Sequence, residues 1–508
     1  MKHALKITTA IASLTLFGLA LVSCVNVQTQ PQQGSPTLIF DQNTYQKKQF
    51  VFDNKTIQVR AYENIPYVVS PIEPDYQLIN IYIPEEYFAN QTINGYTKDT
   101  APIFSPNAIG GYMPAKPMNL SDKKSPDGQV SPSSVQMALS RGYIVASIGA
   151  RGRTLQKDGV YTGKAPAAIV DLKAGIRYLK ANDKQMFGDA NKIIVNGTSA
   201  GGAMTALLGA TGNHPDYEME LQKIGAIRAK DNVFAVSSYC PITNLENADA
   251  AYEWQMNKIN DYKKITIKSL DYQVKRETIS GTLDKNSQDL SLQLKQSFPK
   301  YINGLNLIGN NGKLTLNQDG DGTFKDEILY YLNQSVNKAH KDGISLSEYT
   351  FLNQKKSIEP YYIVNFDDFL QTYLGRQKTP PAFDALDLSS GENNLFGSDT
   401  INNRHFTDFA KNFDNHHKHA PKNTVKLMNP MNYLDDNNAE IAQYWRIRHG
   451  AKDADTGFAI SVILATKLQM NHKTVDFFMP WNQGHDGDYD LNELFDWIDS
   501  ISKETSKK

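Results

Sequence analysis

Gly197-Thr198-Ser199-Ala200-Gly201 constrains this chain more than any other stretch. It follows the apolar run Ile193-Ile194-Val195 and precedes Ala203-Met204-Thr205-Ala206-Leu207-Leu208, whose residues favour a helix. That order predicts a strand, a sharp turn presenting a serine, and a helix. Glycines on both sides let strand and helix approach closely. The turn holds the Ser199 hydroxyl clear of the backbone, at a helix N-terminus where unpaired amides favour negative charge. Ser199 is therefore a candidate nucleophile. The bland alternative is a glycine-rich turn with a solvent-facing serine.

The surrounding pattern sets the fold class. Ile79 to Ile83, Arg141 to Ser147, Val233 to Ser238, Gln443 to His449 and Val475 to Trp481 read as strands, and Ser133 to Ser140, Ala167 to Leu179, Thr456 to Leu468 and Leu491 to Ile501 as helices. Strands alternating with helices imply an α/β protein with a parallel sheet. At 508 residues the chain exceeds one ordinary domain. Residues 250–425 are polar and rich in Lys and Gln, without recurring apolar strands, and read as a mainly helical lid. The expected layout is a core over 38–249 and 426–508 interrupted by that insertion: an α/β-hydrolase core with a large lid domain.

Acyl transfer by a serine needs a base to take its proton and an acid to orient the base. In such a fold the partners follow in the order Ser, Asp or Glu, His, in loops after strands. The loop after Gln443–His449 offers Asp453 and Asp455, and the spacing leaves open which is the acid. The loop after Val475–Trp481 offers His485, the only histidine of the ten in that final loop. His449 reads as a strand-end histidine bonding its neighbours. The Ala200 amide is one candidate oxyanion donor. A second comes from Asn107-Ala108-Ile109-Gly110-Gly111, where either Gly110 or Gly111 could turn an N–H inward, unless the pair is a plain turn.

The N-terminus reads as export machinery. Lys2, His3 and Lys6 precede an apolar stretch from Ile7 to Val22, too short for a confident membrane span. Residues 1–23 read as a signal peptide ending in Leu21-Val22-Ser23-Cys24, which resembles the lipobox of bacterial lipoproteins, with Cys24 as the lipidated residue; the alternative is an ordinary secretory peptide. Residues 24–37 read as a tether. The expected location is exported and lipid-anchored to the bacterial cell envelope, with membrane contact through the lipid alone. If Cys24 is acylated, Cys240 is the single remaining thiol and no intrachain disulfide can form, so Cys240 reads as buried and inert. A net charge of −1 and the lack of a basic tract argue against nucleic acid as a partner.

Two clusters suggest metals. Asn317, Asp319 and Asp321, with glycine at the sixth position, have the oxygen spacing of a calcium loop, but Ile328 stands where the bidentate twelfth ligand belongs. A calcium site and a simple Asp-Gly turn both stay open. His416-His417-Lys418-His419 is a transition-metal candidate or a solvated loop. Serine acyl transfer requires no cofactor.

Several longer blocks resemble the bacterial tannases (tannin acylhydrolases): Asn196 to Gly202, Tyr239 to Asp249, Ala251 to Trp254, Ser390 to Gly397, Arg448 to Thr456 and Gly484 to Asp490. The resemblance runs from about residue 60 to the C-terminus. It implies an α/β-hydrolase with an inserted lid, Ser199 as nucleophile, Asp453 as acid and His485 as base. It further implies that Lys378, Glu392 and Asp455 hold the three hydroxyls of a galloyl ring, with galloyl esters and tannins as substrates. Rival expectations are an esterase for hydroxycinnamates such as ferulate, and a surface lipoprotein that binds polyphenols without turnover.

Overall fold

Nine strands build one sheet: β1 (Gln46–Phe52), β2 (Lys55–Pro66), β3 (Leu78–Pro84), β4 (Pro102–Pro106), β5 (Ile144–Ile148), β6 (Asp189–Thr198), β7 (Ala235–Tyr239), β8 (Tyr444–Arg448) and β9 (Thr474–Phe478). They lie in the order β1-β2-β3-β5-β4-β6-β7-β8-β9. The computed structural model describes residues 38–504 apart from 125–129, 271–272, 354–359 and 414–418. The leader, the tether with Cys24, and His416 to Lys418 lie outside the described residues.

Strands β1 to β3 form an antiparallel edge, β3 runs antiparallel to β5, and β5, β4, β6, β7, β8 and β9 are parallel in turn. Residue choice follows burial. β4, β5 and β7 are buried at every position, as parallel strands covered on both faces require, whereas β1 is mostly exposed. Helix Ala200–Ala210 is buried along its whole length, which explains its unrelieved Ala, Gly and Leu content. Helix Ser134–Ser140 starts at Ser133, whose side chain accepts from the Gln136 amide while Gln136 returns the bond.

From the end of β7 to the start of β8 the described chain adds no strand to this sheet. It forms helices Leu245–Met256, Lys285–Leu305 and Thr323–Lys341 and an antiparallel hairpin, Asp261–Leu270 with Gln273–Thr282. The expected boundaries at 249/250 and 425/426 both fall inside helices, Leu245–Met256 and Lys422–Leu427. Leu38–Lys508 clusters as one compact unit.

Two element ends also differ from expectation. The strand expected from Arg141 begins at Ile144, because Arg141 closes the preceding helix and Gly142 turns at φ 83°. The last strand stops at Phe478, and the rest of its apolar run folds back into the core as Met479 and Trp481.

Candidate active site

Ser199 sits where β6 ends and helix Ala200–Ala210 begins, with φ 61° and ψ −123°. A non-glycine residue in that region carries strain on the order of 1–3 kcal/mol, held by its surroundings. Those surroundings leave no slack. A Cβ on Gly197 would lie 2.5 Å from the Gly201 carbonyl oxygen, and one on Gly201 would lie 2.6 Å from that of Ile109. The Ser199 N–H donates to the Tyr239 carbonyl at 2.9 Å, tying the turn to β7.

His485 lies in the loop after β9. Its Nε2 is 2.8 Å from Ser199 Oγ, and its Nδ1 is 2.9 Å from Asp453 Oδ2. Asp453 is fully buried in the loop after β8, and its Oδ1 accepts the Asp455 N–H at 2.9 Å. Burial opposes ionisation of Asp453, but His485 foremost, then His449, outweigh it and hold the carboxyl down at about 2. Asp455 stands on the other side of the ring, its Oδ2 3.7 Å from Nε2. The two acids left open by spacing thus divide geometrically: Asp453 bonds the far nitrogen, and Asp455 faces the serine side. Burial lowers the basicity of His485, yet Asp453 and then Asp455 raise its pKa well above the ordinary 6.5.

The loop is fastened from below. Asn196 donates to Asp488 at 3.0 Å, Tyr239 donates to Asp490 at 2.6 Å, and Arg446 pairs with the same Asp490 carboxylate. The loop bearing Gly110 and Gly111 follows β4 and lies against the turn, with Asn107 Nδ2 donating to the Asn196 carbonyl at 3.1 Å. Both glycines are exposed, and among the described residues their N–H groups have no hydrogen-bond partner. The Ala200 N–H, at the first helical position, is likewise unused by the helix.

Lys378, Glu392 and Asp455 come together beside this centre although they are distant in sequence. Lys378 Nζ is 3.2 Å from Asp455 Oδ2 and 4.0 Å from the centroid of the Phe383 ring. Burial pushes the Glu392 carboxyl up, with Lys378 pulling it down and Asp455 pushing it further up. Several supporting residues escaped sequence reasoning. Tyr252 Oη accepts the N–H groups of Gln377 and Lys378, each at 3.0 Å, and donates to the Ala454 carbonyl at 3.1 Å, joining two of the three site segments. Arg376, fully buried, pairs with Glu253 at 2.6 Å and also donates to the Lys378 carbonyl at 3.0 Å. Asp384 accepts from Asn393 at 2.7 Å and so anchors the short helix bearing Glu392. Asp249 accepts the Phe383 and Asp384 amides, and burial together with Asp384 pushes its carboxyl up to about 7. Arg153 donates to both Gly111 O, at 2.8 Å, and Asn394 Oδ1, at 3.1 Å, bridging the glycine loop to that helix. Tyr252 and Glu253 lie in the tannase-like stretch Ala251 to Trp254, whereas Arg376, Arg153 and Asp384 have no local sequence signal.

The loop at Asn317 to Asp321 closes on itself. Asn317 Oδ1 accepts the Asp321 N–H at 2.9 Å, and Lys325 pairs with Asp321 at 2.8 Å. Lys325 first, with Lys258 and Lys295, lowers the Asp321 pKa.

A strand-bound serine elbow followed by an acid and a histidine at successive strand ends defines an α/β-hydrolase, here a carboxylic ester hydrolase. A family model described as BD-FAE matches residues 119–280. A curated relative, esterase LipC of Mycobacterium tuberculosis, is 46% identical over 56 residues, 11% of this chain and 14% of that esterase. The solved Fusobacterium nucleatum tannase is 48% identical, covering 92% of this chain and 99% of that one with a TM-score of 0.86. The Lactobacillus plantarum tannase is 40% identical over 92% and 100% of the two chains, TM-score 0.87. A tannin acyl hydrolase in complex with ethyl gallate is 42% identical over 92% and 99%, TM-score 0.85. The chain belongs to the tannase family.

Proposed function

We propose that this protein hydrolyses galloyl esters, including those of hydrolysable tannins, to gallate and an alcohol. The observation that carries the reading is the unbroken path Ser199 Oγ to His485 to Asp453, at 2.8 and 2.9 Å, beside the cluster of Lys378, Glu392 and Asp455. His485 takes the Ser199 proton as the oxygen attacks the ester carbonyl, and Asp453 stabilises the resulting imidazolium. The oxyanion rests on the Ala200 N–H and one amide of Gly110 or Gly111, each such donor worth about 3–4 kcal/mol in the transition state. His485 then protonates the leaving alcohol, and water resolves the galloyl-enzyme by the same steps in reverse.

Three adjacent phenolic hydroxyls can donate to Glu392 and Asp455 while accepting from Lys378. A methoxy group in place of one hydroxyl cannot donate, which leaves a part-buried carboxylate without its hydrogen bond and disfavours ferulate. Parallel assays of gallate release from methyl gallate and ferulate release from methyl ferulate test the reading. Hydrolysis of neither ester by the wild type would sink the esterase; preference for ferulate would sink the galloyl pocket. The reaction needs no metal or cofactor in this scheme, and nothing in it passes through Asp321.

The base carries a pH signature. His485 must be neutral at Nε2, so activity is full above its pKa and falls as pH falls through it. Because Asp453 and Asp455 raise that pKa, the acid limb of kcat/KM is expected above 6.5. With p-nitrophenyl acetate, which lacks galloyl hydroxyls, Asp455→Asn moves the limb to lower pH. An unmoved limb would show that Asp455 does not act on the base.

Export and lipid anchoring through Cys24 are part of the same reading, supported by the basic start, the apolar stretch and the residues before the cysteine. Cys24→Ala is expected to move the protein from the membrane fraction to the soluble one. Retention in the membrane would refute the anchor.

A further inference from the structure

At the end of β7, Cys240 lies behind the base and its acid. Its Sγ, a ring nitrogen of His485 and a carboxylate oxygen of Asp453 all fall within 4.8 Å of one another. The thiol donates to the Asp486 carbonyl at 3.4 Å, and burial raises its pKa. Cys240 and Asp453 are buried, whereas the His485 side chain keeps 24% of its exposure and opens a route from the cleft.

A second buried donor faces the same carboxylate. His449 is fully enclosed, and burial keeps it neutral. Its Nδ1 is 2.9 Å from Ser461 Oγ, while its Nε2 has no hydrogen-bond partner among the described residues and lies 3.8 Å from Asp453 Oδ2. The thiol of Cys240, the imidazole of His485 and the carboxylate of Asp453 make up a donor set that suits Zn²⁺ and its softer congeners.

We propose that Cys240, His485 and Asp453, with His449 at the edge of the set, bind a thiophilic divalent cation such as Zn²⁺ or Cd²⁺, and that occupancy switches the esterase off. The cation bonds Sγ as the thiol proton leaves to water. Bound at His485 Nδ1, it leaves the ring's one proton on Nε2, which then donates to Ser199 instead of accepting from it. Bound at Nε2, it occupies the base's lone pair directly. In either case Ser199 keeps its proton. Protons compete with the cation for both ligands, so inhibition weakens as pH falls.

The test uses the full chain, with Cd²⁺ as the probe. Wild type is expected to lose methyl gallate hydrolysis with one Cd²⁺ bound and to show the ultraviolet thiolate-to-cadmium band. Cys240→Ser is expected to keep most of the uninhibited rate, to lose the band, and to need about tenfold more Cd²⁺ or higher for half inhibition. Cys24 is present in both proteins, so the difference spectrum reports Cys240. Should the serine variant fold poorly, Cys240→Ala serves instead, checked by its melting curve. Equal inhibition of wild type and variant, or a wild type without the Cys240-dependent band, overturns the proposal. The absorbance arm needs no turnover and therefore stands apart from failure of the esterase reading, which would appear as no gallate release in the absence of metal.

Discussion

Ser199→Ala is expected to lower kcat for methyl gallate by about 10⁵-fold or more, leaving only the residual rate that an oxyanion site and substrate binding sustain without a nucleophile. The size follows from the geometry. On the proposed mechanism Ser199, His485 and Asp453, joined by two hydrogen bonds, act as one unit, so removing the proposed nucleophile removes the covalent route as a whole. Stability should barely change. The strain at φ 61° is a backbone property that alanine shares with serine, and Ser199 supplies no side-chain cap to the helix behind it. Single-turnover gallate release and a thermal melt, measured on the same preparation, check both halves. A variant within tenfold of the wild-type rate would mean that another group attacks the ester.

Lys378→Ala and Glu392→Ala are expected to cost methyl gallate roughly 10- to 100-fold in kcat/KM, from the loss of hydrogen bonds to charged groups worth about 1.5–3 kcal/mol each. Methyl benzoate, with no hydroxyls to satisfy, should lose little. Lysine removal carries a second penalty. Asp455 already pushes the Glu392 carboxyl up while Lys378 pulls it down, so without the ammonium the Glu392 pKa rises further. The gallate advantage of Lys378→Ala should therefore shrink further as pH falls. Equal losses on both esters would place Lys378 and Glu392 in the scaffold instead of against the ring.

Local signals carried a good part of this architecture. The elbow was readable because strand, glycine turn and helix are contiguous, and the His485 loop because it follows the last apolar strand. Helices Ser134–Ser140, Ala167–Ala181 and Ala200–Ala210 stand close to where their periodicity places them. What escaped is non-local. The hairpin Asp261–Thr282 is polar and Lys-rich, and its strands pair with each other instead of with the large sheet, so they lack the apolar mark of the core strands. Arg376 and Glu253 pair inside the protein across 123 residues, and neither has a neighbour in sequence that announces burial. Charged residues look like surface until a partner is known. The Lys378, Glu392 and Asp455 grouping likewise came from family resemblance, since three separated ionisable residues have no periodicity.

The strand order has a bearing on when this chain becomes chemically competent. The nucleophile is presented by β6 near the middle of the sheet, but its acid and base hang from β8 and β9, the last two strands made, with β9 at the open edge. A nascent chain that has emerged only through β7 holds Ser199 but not yet the residue proposed to take its proton. On the proposed mechanism, turnover waits for β8 and β9 to join the sheet, so the order of synthesis acts as a built-in delay. Truncation between Tyr239 and His485 removes the proposed base and is expected to abolish methyl gallate hydrolysis, measured as gallate release.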